Sequence, residues 1–204
     1  MSVLFYKAMD KEKKKIGLFF GSFNPVHIGH MAIANYMLEF TNLDQVWFVV
    51  SPHNPFKEKR TLLAEYHRLE LVNLAIGDNM KMKATNIEFR LPKPSFTIDT
   101  LTYLTEKYPL YHFVLIMGSD SMPTFNKWKN YKQILKYYYI YVYPRIGFED
   151  KIQLKHPSIK YFKAPVIDIS SSFIRNAIKK RKDIRYFLPE KVNNYIQEMH
   201  FYEK

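Results

Sequence analysis

The sequence of 204 residues contains no cysteine, which excludes disulfide bonds, thiolate metal ligands and cysteine nucleophiles. Long apolar runs are also missing. The longest, such as residues 47–50 and 113–117, have the length of strands and fall far short of the roughly 20 residues that a membrane-spanning helix needs. Residues 1–15 lack the apolar segment and cleavage site of a secretory signal. We therefore expect a soluble, cytoplasmic protein with a flexible N-terminal extension over residues 1–15.

Acidic residues are few, with 19 Asp and Glu against 31 Lys and Arg, and the formal net charge is +12. An excess of positive charge favours an anionic partner, either a nucleic acid, a membrane surface or phosphorylated small molecules, and composition alone leaves all three open. The chain is 47% apolar and shows no internal repeat, low-complexity segment or linker. We therefore predict one domain over residues 16–204.

Short apolar runs alternate with amphipathic segments along the first 118 residues. The runs predict strands at 16–20, 45–50, 83–89 and 111–117, and the segments between them predict helices at 29–40, 63–75 and 97–108. A less regular part follows, with a helix at 131–135, strands at 137–142 and 159–162, and closing helices at 171–180 and 189–200. Such alternation predicts an α/β protein with a Rossmann-like, doubly wound parallel sheet and C-terminal helices. Its ligand crevice is expected at the carboxyl ends of the strands.

The strongest motif is the segment 21–30, Gly-Ser-Phe-Asn-Pro-Val-His-Ile-Gly-His, between the first predicted strand and the first predicted helix. A helix N-terminus beside a strand end offers free N–H groups and the positive end of a dipole, and both favour phosphate. His27 and His30 are three residues apart, so both imidazoles are expected on one side of the first turn. Gly29 leaves room for a ligand to approach the backbone. The pattern predicts a phosphate-binding loop.

A second motif, residues 169–175, places three serines at the start of a predicted helix, with Arg175 one turn further on. Serines before a helix are first of all capping residues. The same arrangement also gathers hydroxyls, helix N–H groups and a guanidinium, which together suit a polyphosphate.

The two motifs together, HxGH after the first strand and SSxxxR near the C-terminus, resemble the nucleotidyltransferase superfamily that shares HxGH with class I aminoacyl-tRNA synthetases. Three further segments are similar to the bacterial type of nicotinate-nucleotide adenylyltransferase: residues 95–101, residues 118–120 with Trp128 downstream, and residues 186–189. The resemblance spans residues 16–196. The segment 21–25 is closer to the eukaryotic members, and Ser119 stands where alanine is common.

This resemblance implies transfer of AMP from ATP to nicotinate mononucleotide, with release of pyrophosphate. The attacking phosphate is already ionised near pH 7, so no general base is required, and catalysis rests on positioning and charge stabilisation. Mg²⁺ is expected to be carried by the phosphates, with no metal site built from protein side chains. The expected partners are ATP and nicotinate mononucleotide, without nucleic acid or membrane; assembly into a homo-oligomer is left open.

The implied site residues fall into three groups. Catalysis is assigned to His27, His30 and Arg175. ATP binding is assigned to Gly21, Ser22, Phe23, His27, Gly29, His30, Lys57, Gly118, Asp120, Ser171, Ser172 and Arg175. Mononucleotide binding is assigned to Asn24, Thr97, Asp120 and Trp128.

Within these groups, His30 is expected to contact the α-phosphate in the transition state, and Arg175 the β- and γ-phosphates. Simpler interpretations stay open for four residues. Asp120 and Thr97 also fit helix caps, Trp128 also fits a core position, and Lys57 also fits a solvated lysine.

The resemblance also favours the acid substrate, because Thr97 opens a helix whose N-terminus would attract the nicotinate carboxylate. Asp99 lies close to that position, and we expect its carboxylate to face the helix cap and not the substrate.

Two other functions are weaker interpretations. A sister enzyme such as pantetheine-phosphate adenylyltransferase would share the phosphate motifs but not the set of Thr97, Asp120 and Trp128. An RNA-binding or synthetase-like protein is suggested by the literal His-Ile-Gly-His and by the charge. It would need a lysine-rich loop, which the serines at 170–172 lack, and a tRNA-binding domain, for which 204 residues leave no room.

Overall fold

The computed structural model describes residues 13–52, 62–148 and 154–203. The strands are β1 (Lys14–Gly21), β2 (Gln45–Val50), β3 (Met82–Thr85), β4 (Tyr111–Gly118), β5 (Tyr139–Tyr143) and β6 (Ile159–Tyr161). The α-helices are α1 (Ile28–Glu39), α2 (Glu65–Ile76), α3 (Thr97–Lys107), α4 (Tyr131–Tyr137), α5 (Ser171–Lys179) and α6 (Glu190–Glu198). Short 3₁₀ helices span Ile87–Arg90, Ser119–Lys127 and Arg185–Phe187. None of these described helices is long and apolar enough to cross a membrane.

All six strands are parallel and lie in the order β3-β2-β1-β4-β5-β6. This confirms the predicted doubly wound, Rossmann-like sheet. The chain moves outward from β1 to β2 and β3 on one side, and β4 then starts the other half beside β1. In such sheets the ligand crevice opens where the direction of winding reverses, at the carboxyl ends of the two central strands. Here those ends are Gly21 of β1 and Gly118 of β4.

Two apolar layers cover the two faces of the sheet, because successive strand residues point to opposite sides. Phe19 belongs to the layer that also contains residues of α1, α2, α5 and α6, such as Met37, Leu71 and Ile174. Leu18 belongs to the layer built with α3 and α4. The helices that carry the two motifs, α1 and α5, therefore share one face of the sheet. This shared face allows the motifs to meet.

The largest difference from the predicted elements is at the third strand, which was expected over residues 83–89. The strand ends at Thr85, and the chain turns into the 3₁₀ helix Ile87–Arg90. The reason is Glu88, which is 3% exposed and accepts a hydrogen bond from Thr100 Oγ1 of α3 at 2.8 Å. Ile87 is buried as well, so the apolar pattern alone could not separate a strand from this turn.

The first strand also begins earlier than expected, at Lys14 instead of Ile16. The Lys15 N–H donates to Asp44 Oδ2 at 2.7 Å, and the Lys15 carbonyl accepts from the Asp44 N–H at 2.9 Å. The last two residues of the predicted extension are therefore part of the sheet. Residues 1–12 lie outside the described residues.

Candidate active site

The loop between β1 and α1 carries the first motif, and its two histidines lie face to face. The ring centroids of His27 and His30 are 3.7 Å apart with a 35° tilt between the ring planes. His27 is the residue immediately before α1, and His30 lies in the first turn. This confirms that the spacing of three residues places both imidazoles on one side of the helix start.

His27 is buried, with 3% of its surface exposed. Burial, and secondarily the positive charge of Arg145, lower the pKa of His27 from 6.5 to about 4. The imidazole is therefore neutral near pH 7. Its Nδ1 atom has no hydrogen-bond partner within the described part of the chain. A Cβ at Gly29 would lie 3.0 Å from this Nδ1, so Gly29 keeps the space beside the nitrogen open.

His30 is fixed in one tautomer by the backbone. Its Nδ1 accepts a hydrogen bond from the His27 N–H at 3.2 Å. A backbone N–H is always a donor, so the proton of the neutral His30 ring must be on Nε2. The ring packs edge-on against Phe23, with centroids 5.2 Å apart. His30 therefore has an oriented N–H donor on Nε2.

The second motif reaches across to the first. Arg175 Nη1 donates to the Asn24 carbonyl at 2.8 Å, and Nη2 donates to Ser172 Oγ at 3.1 Å. Ser171 Oγ donates to the Pro25 carbonyl at 2.9 Å. Ser170 is the residue that caps α5, and its Oγ accepts a hydrogen bond from the Phe173 N–H at 3.1 Å. The two motifs, about 150 residues apart in sequence, thus form one cluster.

The end of β4 supplies the neighbouring part of the crevice. Gly118 is followed by the buried Ser119 and the half-exposed Asp120. A Cβ at Gly118 would collide with Asp120 Oδ1 and would lie 2.9 Å from Arg145 Cγ, so a larger residue there would displace these two side chains. The residue before the 3₁₀ helix is Gly118, and no side-chain hydrogen bond caps that helix. The capping interpretation of Asp120 is therefore wrong.

Arg145 is a crevice residue that the sequence did not reveal. Its side-chain Nε lies 3.9 Å from Asp120 Oδ1, and its backbone N–H donates to Ser119 Oγ at 2.8 Å. With both histidines it lines a cleft whose other lining residues are Phe19, Gly29, Ile33, Tyr143, Pro144 and Ile167. A signal was available in its position two residues after β5, because the carboxyl ends of parallel strands meet at one edge.

The start of α3 lies against the segment that follows Trp128. Thr97 is the first helical residue, and the capping position is held by Phe96, so Thr97 is not a capping residue. The N–H groups of Asp99 and Thr100 donate to the Phe96 carbonyl, at 2.9 and 3.2 Å. The N–H groups of Thr97 and Ile98 are therefore the ones that this helix N-terminus can offer.

The expectation for Asp99 is wrong. Its carboxylate does not cap α3 but accepts two hydrogen bonds from Lys129 Nζ, at 3.1 and 2.9 Å. This ion pair holds the segment after Trp128 against the first turn of α3. Trp128 itself is half-buried and its ring centroid is 5.5 Å from that of Phe125. One part of the indole thus belongs to the core, as the simpler interpretation proposed, and the rest stays accessible.

Two buried charged residues support these loops, and the sequence did not single them out. The guanidinium of Arg68 is fully buried and donates to the carbonyls of Ser22, Ser51, Pro52 and Leu63, at 2.7 to 3.0 Å. It thereby joins the loop after β1 to the loop after β2. The carboxyl of Glu88 is hydrogen-bonded by Thr100, Ser51 and Ser95, and burial raises its pKa.

Lys57 lies outside the described residues. Gly21, Ser22 and Phe23 form the start of the motif loop at the end of β1. Within residues 13–52, 62–148 and 154–203, no three side chains of His, Asp or Glu come together as a metal site.

The parallel sheet carries the two joined motifs at the point where its winding reverses. This arrangement is typical of a nucleotide-binding α/β protein. The family model described as cytidylyltransferase-like matches residues 18–177. A protein of Flavobacterium johnsoniae, named "Probable nicotinate-nucleotide adenylyltransferase", is 54% identical over 192 residues, which cover 93% of this chain and 100% of that protein. A protein of the same name from Cytophaga hutchinsonii is 50% identical over 188 residues, covering 92% of this chain and 98% of its own.

Among solved structures, the Plasmodium falciparum nicotinic acid mononucleotide adenylyltransferase complexed with NaAD is similar, with a TM-score of 0.76 and 21% identity. The match covers 93% of this chain and 98% of the other and supports the fold. The chain belongs to the nicotinate-nucleotide adenylyltransferases within the cytidylyltransferase-like family.

Proposed function

We infer that the protein transfers the adenylyl group of ATP to nicotinate mononucleotide, forming nicotinate adenine dinucleotide and pyrophosphate. The observation that carries this proposal is the joining of the two phosphate-binding motifs at the reversal point of the sheet, with Arg175 bonded to the Asn24 carbonyl. Family membership supports the choice of reaction, since the relatives bear the name of this enzyme.

In the proposed reaction, a phosphate oxygen of the mononucleotide attacks the α-phosphorus of ATP. A new P–O bond forms, and the bond between the α-phosphorus and the oxygen bridging to the β-phosphate breaks. Pyrophosphate leaves with the electron pair of that bond. No proton has to be removed from the nucleophile, so the protein's task is alignment and charge stabilisation.

His30 is proposed to donate from Nε2 to an oxygen of the α-phosphate, where negative charge grows in the transition state. The hydrogen bond from the His27 N–H to Nδ1 supports this role, because it fixes both the tautomer and the ring. His27 is proposed to bind phosphate as a neutral imidazole, which agrees with its lowered pKa of about 4. Gly29 and the first N–H groups of α1 complete the phosphate cradle.

Arg175 is proposed to bind the β- and γ-phosphates, with hydrogen bonds from Ser172 and from Ser171, whose hydroxyl would turn from the Pro25 carbonyl to the phosphate. Lys57 is proposed to reach the same phosphates. Gly21, Ser22, Phe23 and Gly118 shape the ATP crevice. Mg²⁺ is proposed to arrive bound to ATP and to neutralise the charge of the departing pyrophosphate.

On the acceptor side, Asp120 is proposed to hold ribose hydroxyls, as acidic residues at strand ends do in dinucleotide-binding folds. Asn24 is proposed to bind the mononucleotide from the motif loop. The accessible part of Trp128 would stack on the pyridine ring, and the N–H groups at Thr97 would bind the nicotinate carboxylate.

The direct test is turnover with small molecules alone. Purified protein, ATP, Mg²⁺ and nicotinate mononucleotide should release pyrophosphate and give one equivalent of the dinucleotide by mass spectrometry, without RNA. Phosphopantetheine serves as the control acceptor and should give no product. Pyrophosphate release with phosphopantetheine, or release only when RNA is added, would contradict the proposal.

A further inference from the structure

The C-terminal end of the chain turns back onto the motif loop. After α6, His200 and Tyr202 have φ values of 52° and 67°, in the left-handed region that non-glycine residues seldom occupy. The Phe201 N–H donates to the Ile196 carbonyl at 3.1 Å, and the Phe201 ring packs 4.7 Å from that of His67. These contacts hold the turn that follows α6 and carries Tyr202.

The hydroxyl of Tyr202 donates to Asn24 Oδ1 at 2.8 Å, across 178 residues of sequence. The same oxygen accepts the Leu63 N–H at 3.2 Å. Because a backbone N–H is always a donor, the atom facing Leu63 must be the amide oxygen, so Tyr202 must be the donor in its own bond. Two donors on one oxygen fix the orientation of the Asn24 amide, which is 3% exposed.

The loop around Asn24 is also held by two guanidinium groups. Arg175 bonds the Asn24 carbonyl, and Arg68 bonds the Ser22 carbonyl at 2.7 Å. The Tyr202 hydroxyl lies close enough to both guanidinium groups to feel their charge, while burial, the larger influence, raises the pKa of Tyr202. The hydroxyl therefore stays protonated and remains a donor at every pH at which the protein would be assayed.

We propose that Tyr202 is a positioning residue: its hydroxyl holds the Asn24 side chain, and through it the loop that Arg175 contacts, in the arrangement that mononucleotide binding requires. Tyr202 acts through Asn24 and makes no contact with the reacting atoms. The inference rests on the proposed function, because the role of Asn24 in mononucleotide binding is part of that proposal.

The test compares Tyr202→Phe with Tyr195→Phe. Tyr195 belongs to the same C-terminal segment, but its hydroxyl bonds His67 Nδ1 at 3.0 Å and not the motif loop. We expect Tyr202→Phe to raise the KM for nicotinate mononucleotide and to lower kcat/KM for it about tenfold, the effect of about 1.4 kcal/mol. The KM for ATP should rise less than the KM for the mononucleotide, since the bonds from Arg175 Nη2 to Ser172 Oγ and from the His27 N–H to His30 Nδ1 do not involve the Asn24 side chain. Tyr195→Phe should match the wild type.

A second measurement is independent of turnover. Hydrogen exchange of the peptide covering residues 22–27, followed by mass spectrometry on the free protein, should be several-fold faster in Tyr202→Phe and unchanged in Tyr195→Phe. In a double-mutant cycle with Asn24→Ala, the Tyr202 change should have little further effect on kcat/KM.

Unchanged exchange in this peptide, or kinetic constants equal to those of the wild type, would overturn the role of Tyr202. If the wild type forms no dinucleotide, the proposed function fails instead, and the exchange experiment still decides whether Tyr202 holds the loop.

Discussion

At the scale of single residues, the catalytic proposal depends on donors whose directions are set by neighbouring backbone atoms. The His27 N–H determines which nitrogen of His30 carries the proton. The Asn24 carbonyl and Ser172 Oγ determine the plane of the Arg175 guanidinium. Groups oriented before substrate binds need little reorganisation in the transition state, and such preorganisation is a main source of catalysis.

His30→Ala should leave the fold intact and reduce kcat on the order of 100-fold or more, with much less effect on ATP binding. The reason is that the Nε2 contact strengthens only as charge develops on the α-phosphate. Steady-state kinetics and ATP titration calorimetry measure the two effects separately. His156→Ala, on the approach to the outer strand β6, is the matched control. Near-normal turnover of His30→Ala would remove this residue from the mechanism.

Arg175→Lys should weaken ATP binding and lower kcat/KM more than tenfold, although the charge is kept. One ammonium cannot reproduce the two bonds to the Asn24 carbonyl and Ser172 Oγ and also hold two phosphate oxygens. Arg185→Lys makes the same exchange at an exposed position paired with Asp183 and should have no effect. If both variants kept the kinetic constants of the wild type, Arg175 would have no role in binding ATP.

The lowered pKa of His27 predicts acid sensitivity. The folded protein has a His27 pKa of about 4 against an ordinary 6.5, so between these values the unfolded chain binds a proton that the folded chain does not. The free energy of unfolding should therefore fall as the pH drops through this window, by up to about 3 kcal/mol from this residue. Urea unfolding at pH 7.5 and near pH 4.5 measures the fall. It should be smaller in His27→Gln, and an equal fall in both proteins would refute the burial of a neutral His27.

At the scale of elements, buried polar groups join the loops after β1 and β2 to each other and to the start of α3. Arg68 links the loops after β1 and β2, and Glu88 links the end of β2 to α3 through Ser51 and Thr100. Buried polar groups of this kind are costly unless every partner is present, so they specify one loop arrangement.

Glu88→Gln tests the second of these links. A carboxylate can accept from the hydroxyls of Thr100, Ser51 and Ser95, whereas the amide offers only one acceptor oxygen. The variant should lose about 1–3 kcal/mol of stability and raise the KM for the mononucleotide, because Ser95 precedes the start of α3. Glu106→Gln, on the exposed face of the same helix, is the control. Unchanged stability and KM would show that the carboxyl is not needed there.

At the scale of the whole molecule, the sequence predicted the fold well because the periodicity of strands and helices is local. The parallel sheet and the meeting of the two motifs follow from that alternation and from the rule that places the crevice at the strand ends. The residues missed, Arg68, Glu88, Arg145 and Tyr202, act through contacts with loops distant in sequence. No local pattern marks these contacts for Arg68, Glu88 and Tyr202, whereas the position of Arg145 two residues after β5 was a usable signal. The error at residues 83–89 has the same origin, because the burial of Glu88 is decided by α3.

The central claim, adenylyl transfer to the acid mononucleotide, is tested most directly by comparing nicotinate and nicotinamide mononucleotides at matched ATP and Mg²⁺. We propose that the N–H groups of Thr97 and Ile98 attract the nicotinate carboxylate. A carboxamide would place its own NH₂ against one of them, a mismatch of roughly 1–3 kcal/mol. Asp99 repels the nicotinate carboxylate only weakly, because the charge of Lys129 is paired with that of Asp99. We expect kcat/KM to be about 10- to 100-fold higher for the acid. An equal or higher kcat/KM for the amide would contradict it.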